Sequence, residues 1–386
     1  MIKRLQGHFG LVVAAVLVLG LMPGLANAQA IIKVNDNTNF RLGLLLQGWA
    51  DWTQDATTGG YAQNLYLRRI RFMVGGQIAK DVTFFFETDN PNLGKAPKSL
   101  GTGFITQDAF VEWKIANEFR LDGGLILIPF CRNCISSAAS LLSLDYGTWS
   151  FLNSAPTQSS VGRDTGFQAK GYLAGDHLEY RAGVFQGYRD AAVGTVAGSR
   201  NPFRFAGRLQ YNVFDVETAP FYTSTYLGKK KILAFGVGLD EQANGSGTDP
   251  KSYKAFAADV LLDLPVGKTD AFTYIMDYIN WDGGTTFPST IAGGSTTALR
   301  MQNDWLFELG YYLGGAKVQP FFRHEQQRFG DNAFRSGNQK KYQGGLNWYI
   351  YGQNLKLTGA FTRTLPENPA SPATSQFTVQ LQAFYY

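Results

Sequence analysis

The stretch Phe203-Arg204-Phe205-Ala206-Gly207-Arg208-Leu209-Gln210-Tyr211 decides the fold class. Its odd positions carry Phe, Phe, Gly, Leu and Tyr. Its even positions carry Arg204, Ala206, Arg208 and Gln210. A period of two belongs to a strand, whose side chains point alternately to its two faces. One face here suits hydrocarbon and the other suits water. The pattern returns further along. Leu355, Leu357, Gly359 and Phe361 alternate with Lys356, Thr358, Ala360 and Thr362. Phe377, Val379, Leu381, Ala383 and Tyr385 alternate with Thr378, Gln380, Gln382 and Phe384. A soluble sandwich alternates too, but its strands are usually shorter and its apolar face points inward. Segments of about ten residues, repeated to the C-terminus, are the pattern of membrane strands that are apolar outside and polar inside.

The connections alternate as well. Short ones fall at 79–81, 115–119, 174–176, 264–270, 313–315 and 351–354. Longer ones fall at 54–60, 90–103, 129–163, 187–201, 242–250, 282–303, 330–338 and 365–374. Short turns at one end and long loops at the other are the arrangement of an outer-membrane barrel. One turn breaks the rule, because Val213 to Lys230 is long where a short one is due. The segments number about sixteen, an even count that leaves an aqueous channel on closure. The fold class expected is all-β: one transmembrane antiparallel barrel over 29–386.

The first 28 residues read as a secretory signal peptide. Lys3 and Arg4 form a basic start, Phe9 to Met22 an apolar core, and Ala26-Asn27-Ala28 a small-x-small cleavage site. After Gln29 no stretch approaches the roughly 20 apolar residues of a membrane helix, so a membrane-spanning form must be a closed barrel. Composition agrees. The chain has 44 Gly, 29 Phe and 19 Tyr with a mean hydropathy of −0.15, as one-sided strands and aromatic girdles require. Removing Lys3 and Arg4 from the formal +5 leaves +3, too little to argue for nucleic acid.

Alternation assigns Arg41, Arg69, Arg71, Lys170, Arg181, Arg204, Arg208, Arg323, Lys341 and Lys356 to the water-facing wall. Arginine suits an anion path, because its charge is permanent and its planar fork matches carboxylate and phosphate oxygens. A ladder of weak sites lets an anion enter without trapping it. Glu87, Asp108, Glu112, Asp122, Glu179 and Glu325 are available to pair with these bases, so a mixed, weakly selective lining is the competing expectation. Arg68 has the opposite parity, which directs it to a subunit contact or the membrane interface.

Cys131-Arg132-Asn133-Cys134 opens the longest connection. A haem site would need His after it, where Ile135 stands; zinc would need two more ligands, and His177 and His324 are far off. A local disulfide and free thiols are the two readings left. The enzyme reading is thin, since His177 falls beside a turn and His324 has outward parity, neither next to a nucleophile motif. No catalytic residue, metal or cofactor is expected.

Asn64-Leu65-Tyr66-Leu67-Arg68-Arg69-Ile70-Arg71-Phe72 resembles the double-arginine second strand of the phosphate-selective porin O/P family. Gly123 to Phe130, followed by Ser136-Ser137 and Leu144-Asp145, resembles that family's strand leading into its constriction loop. The region from Asn212-Val213-Phe214-Asp215 to Tyr226-Leu227-Gly228-Lys229-Lys230-Lys231 also fits, and accounts for the long turn. The resemblance spans nearly all of the mature chain. It implies a homotrimer of sixteen-stranded channels in the outer membrane, each with its third extracellular loop folded into the lumen. Phe130, Cys131, Arg132 and Cys134 then belong to the constriction loop, and Arg69 and Arg71 lead the anion pathway. The implied function is passive diffusion of small hydrophilic solutes with a preference for anions, phosphate among them. A structural, adhesive or partner-sheathing barrel is the alternative. One departure bears on phosphate: Ile126 and Ile128 hold lumen-facing positions in the neighbourhood where phosphate-specific members carry lysine.

Overall fold

The computed structural model describes residues 31–151, 153–189, 202–243, 252–283 and 299–386. The signal-peptide reading falls on residues outside this set. Residues 31–386 form one compact unit.

The described residues carry seventeen strands: β1 Ile31–Asn35, β2 Thr38–Gln54, β3 Tyr61–Ala79, β4 Val82–Asp89, β5 Ile105–Lys114, β6 Arg120–Leu127, β7 Arg163–Leu173, β8 Leu178–Phe185 and β9 Arg204–Asn212, then β10 Ile232–Gln242, β11 Tyr253–Val266, β12 Asp270–Asp282, β13 Gln302–Tyr312, β14 Val318–Phe329, β15 Gln339–Gln353, β16 Leu355–Pro366 and β17 Thr374–Tyr385. From β2 onward each strand pairs antiparallel with the next, and β17 returns to β2 with Val379 opposite Ala50. The sixteen strands β2–β17 therefore close on themselves. Closure leaves no edge with unpaired N–H and C=O groups, the condition for crossing hydrocarbon. Strand β1 adds a hairpin to the start of β2, with Ile31 opposite Arg41.

The wall is inside out relative to a soluble sheet. On β9 Arg204, Ala206, Arg208, Gln210 and Asn212 are buried, while Phe205 and Leu209 are 52% and 50% exposed. On β10 Ala234, Gly236, Gly238 and Asp240 are buried, and Phe235, Val237 and Leu239 face out. Apolar area left on the outer face of a closed ring is what a bilayer covers. Strands β16 and β17 keep the faces read from the sequence, with Lys356, Thr358, Gln380 and Gln382 buried.

One register shift matters for the site. Between Gln47 and Gly48 the β2–β3 ladder skips a residue: Gln47 pairs with Arg69 and Gly48 with Leu67. Arg68 is the extra residue of a β-bulge. Before it, Tyr66 is buried; after it, Arg69, Arg71 and Met73 are. Parity therefore flips at the bulge, and two successive arginines share the inner face. This corrects the outward placement of Arg68.

The described part of segment 128–162 holds no strand, only two single-turn helices and isolated bridges, and the buried face of the wall satisfies much of the remaining backbone. Gln47 and Gln382 side-chain amides donate to the carbonyls of Ala138 (3.2 Å) and Ala139 (2.8 Å). Lys356 and Asn347 donate to those of Leu141 (3.0 Å) and Leu142 (2.7 Å). The backbone N–H of Arg132 donates to Asp259 (3.1 Å), and that of Trp149 to Glu325 (2.6 Å). The segment's apolar side chains, including Phe130, Cys131, Cys134 and Ile135, bury themselves against Ile279, Trp281 and Tyr253.

Candidate permeation site

The bases assigned to the wall fall into two groups. In the first, each base has its own acid. Arg204 grips Asp240, with Nε donating at 2.7 Å. Arg208 makes a two-pronged pair with Asp259 at 2.5 and 2.7 Å. Arg181 donates to Glu179 at 2.7 Å and to the Pro220 carbonyl at 3.0 Å. Arg181 and Arg208 also lie over the Tyr222 ring, 5.1 and 5.3 Å from its centre. Arg71 bridges Glu87 (3.0 Å) and Asp89 (2.9 Å). Two bases that alternation did not assign to the wall behave alike: Arg163 pairs with Asp108 at 2.9 and 3.2 Å, and Arg132 with Glu217 at 2.6 and 2.9 Å. All six are at most 5% exposed. Lys356, equally buried, caps the Leu141 carbonyl.

In the second group bases outnumber acids around open space. At the long-connection end a cavity of about 370 Å³ is bounded by Arg68, Arg69, Arg323 and Lys341 with Asp145 and Tyr146. Arg68 Nε donates to Asp145 at 2.8 Å and Arg69 Nη2 at 2.5 Å, so two guanidiniums share one carboxylate. Burial alone would raise the Asp145 carboxyl, but these two charges and the Tyr146 N–H hold it well below the usual carboxylate range. Arg323 donates to the Asp145 carbonyl (2.7 Å) and to Glu325 (3.1 Å). Lys341 reaches the Thr148 hydroxyl at 2.5 Å.

At the short-turn end a second cavity, about 330 Å³, is bounded by Arg41, Arg120, Lys170, Glu112 and Tyr172. Lys170 bridges Glu112 (2.5 Å) and Asp122 (3.0 Å), Arg120 contacts Glu112 (3.2 Å), and Arg41 has no ion pair among the described residues. Between the two lies a smaller space of about 90 Å³. It shares Tyr146 with the first, and Phe85, Phe221 and Tyr386 with the second. The three spaces follow one another from the long-connection end to the short-turn end.

Several sequence-derived candidates lie away from this line. Arg181, Arg204 and Arg208 border none of the three spaces. Phe130, Cys131, Arg132 and Cys134 are buried against the wall and anchor segment 128–162; its residues that reach open space are Ser136 to Ala139, Leu144 to Thr148, Phe151 and Val161. Cys131 and Cys134 are joined by a disulfide with Cα atoms 5.0 Å apart. Ile126 and Ile128 sit on the inner face but are covered by that same apolar cluster. Tyr146, Phe85 and Phe221 carry no role in the sequence reading, and Asp145 enters it only within the Leu144-Asp145 resemblance. Arg68 had a readable signal. Outer apolar residues fall at 65 and 67, then at 70 and 72, and the odd gap marks the bulge.

A family model described as phosphate-selective porin O and P matches residues 42–248. Among solved structures, an anion-selective porin from Comamonas acidovorans is 13% identical, with a TM-score of 0.61 over 90% of this chain and 99% of that one. OmpF of Salmonella typhi, in complex with daunomycin, is 14% identical, with a TM-score of 0.59 over 91% and 99%. The outer-membrane channel DcaP of Acinetobacter baumannii is 10% identical, with a TM-score of 0.54 over 91% and 99%. No curated protein matches the sequence.

Proposed function

We propose, on the premise that this chain belongs to the phosphate-selective porin O and P family, that it is a weakly anion-preferring diffusion channel for small hydrophilic solutes. A porin is a passive outer-membrane channel, and both family and fold here are those of a channel. The observation that carries the anion preference is the long-connection cavity, where Arg68 and Arg69 share the single side-chain carboxylate that borders it, Asp145, Lys341 has no ion pair among the described residues, and Arg323 is matched by Glu325 behind it. A low-dielectric wall focuses that excess positive charge onto the path and raises the local anion concentration. Segment 128–162 is read as an extracellular loop folded into the lumen, where it sets the size limit. The hydrogen bonds from β2, β15, β16 and β17 to its carbonyls support that placement. The mature chain, 29–386 after removal of the signal peptide, assembles as a homotrimer in outer-membrane lipid. Phosphate is one permeant among several, because the isoleucines before the loop supply no cation to select it.

Planar-bilayer recording tests this. The purified protein should give discrete conductance steps and a reversal potential in a chloride gradient on the anion side. Arg68→Gln with Arg69→Gln should lower the anion-to-cation permeability ratio by about two-fold or more, the size of a partly screened charge. Absence of steps, or a cation-side reversal potential in the unaltered protein, would refute the reading.

A further inference from the structure

The narrow space between the two cationic cavities has a different chemistry from either. Its apolar lining comes from Leu45, Met73, Phe85, Phe221, Phe384 and Tyr386. Three rings surround Phe85: Phe221 at 5.4 Å, Tyr386 at 5.6 Å and Phe110 at 5.8 Å. Gly43 and Gly75 form the floor beneath Tyr386, and a Cβ at either position would collide with its side chain. The ring therefore lies flat on the inner wall because two glycines leave it room.

The charged groups at this level are already engaged. Arg71 is held by Glu87 and Asp89, and Arg163 by Asp108. Offering either fork to a permeant would leave a buried carboxylate without its partner, at a large cost. The Tyr146 hydroxyl donates to the Ser136 carbonyl at 2.7 Å. A strongly hydrated anion must shed water here with little to replace it. An anion with a flat apolar body meets the partly exposed rings of Phe221, Phe384 and Tyr386 instead, and keeps its charged end toward a cationic cavity on either side.

Resting on the channel reading above, we infer that the preferred permeants are small aromatic carboxylates rather than inorganic phosphate. The collar centred on Phe85 is the selectivity element, and the arginine and lysine clusters at either end gather the charged head. The sequence of environments along the path is cationic, aromatic, cationic, and an aryl carboxylate matches it in either direction.

The test compares sodium benzoate, sodium acetate and sodium phosphate as blockers of chloride current through the reconstituted full-length mature protein. Acetate holds the charge constant and removes the ring. Benzoate should half-block at a concentration about five-fold lower than acetate or phosphate, the effect of one or two ring contacts. A bi-ionic benzoate–chloride reversal potential should show that benzoate also passes. Phe85→Leu keeps an apolar side chain, so chloride steps report that the barrel assembles. In it the benzoate advantage should fall below about two-fold. Should Phe85→Leu give no steps, Phe221→Leu, outside the barrel wall, carries the same comparison. Benzoate no better than acetate, phosphate the strongest blocker, or an undiminished benzoate advantage in the leucine variants would each overturn the inference. An anion-preferring channel that ignores the ring overturns this inference alone; a silent or cation-preferring protein overturns the channel reading with it.

Discussion

Arg204 and Arg208 on β9 and Arg68 and Arg69 on β3 are the same residue type on the same inner face of one barrel. On β9 each guanidinium has its own carboxylate, Asp240 or Asp259, and both are buried among Tyr222, Tyr253 and the loop. On β3 the two guanidiniums share Asp145, which sits on the loop rather than the wall, and they border a cavity. Alternation puts a base on the inner wall, and the local count of acids decides what it does there. Where bases and acids match, the charges neutralise and hold the loop. Where bases exceed acids beside open space, a field remains for a permeant.

Removing an acid from each region should break the comparison in opposite ways. Asp259→Asn leaves Arg208 buried with half a partner, and also weakens the bond from the Arg132 N–H. Losing one side of a buried pair costs about 3–5 kcal/mol. The expected result is a much lower unfolding midpoint, read from loss of the folded, heat-modifiable band on a gel, with little change of selectivity in whatever folds. Unchanged stability would show that the β9 arginines are solvated after all.

Asp145→Asn is the counterpart. It removes one carboxylate from beside two arginines and keeps the shape. The charged hydrogen bonds lost cost roughly 1.5–3 kcal/mol, less than the β9 change, because the site borders water. Anion preference should rise, since Arg68 and Arg69 lose their counter-charge. The reversal potential in a chloride gradient measures this. A fall in anion preference would show that Asp145 positions the arginines and that their geometry outweighs their net charge.

The contrast between the two regions also marks what was legible in the sequence. Strand periodicity, the closed ring, the short and long ends and the inner face of Arg204 and Arg208 all follow from a repeat of two, which is a local property. Acids available to pair with other wall bases were also legible, Glu179 beside Arg181 and Glu325 beside Arg323 among them. Three things were not. Arg68 broke the alternation through a bulge, and only the spacing of its apolar neighbours announced it. The role of Asp145 depends on a loop reaching back to β3, a contact between residues 76 apart in sequence. The aromatic collar joins β4, the 213–231 connection and the C-terminal residues, and no short window contains it. The loop start, Phe130 to Cys134, reads as a constriction from its place in the chain; its apolar character instead buries it against β11 and β12.

Arg68→Ala sharpens the comparison further at smaller cost. The bulge gives Arg68 a partly exposed position, its side chain about one-fifth accessible, so the fold should lose no more than about 1 kcal/mol. Anion preference should fall, and by less than in the double arginine variant, because Arg69 keeps its place. Equal losses in Arg68→Ala and in the double variant would assign the whole effect to the bulge residue.

The smallest expected effect is the response to pH, and its sign separates Asp145 from an ordinary loop acid. Burial pushes its carboxyl up, but Arg68, Arg69 and the Tyr146 N–H push it down further, and the net result is low. A carboxylate whose folded pKa is depressed contributes stability above its unfolded value, about 3.9, and loses it only as pH falls through the folded value. Asp145 should therefore stay charged across the window from about pH 7 to about pH 4. Over that window the difference in anion preference between the unaltered protein and Asp145→Asn should be constant. Below it the difference should shrink as Asp145 takes up its proton and comes to resemble the amide. Measuring reversal potentials of both proteins at stepped pH reads this directly. A difference that has already halved near pH 4 would mean that Asp145 titrates as a solvated acid. The two arginines would then be free on the cavity wall much of the time, and the cleft at β3 would differ from β9 in mobility rather than in charge count.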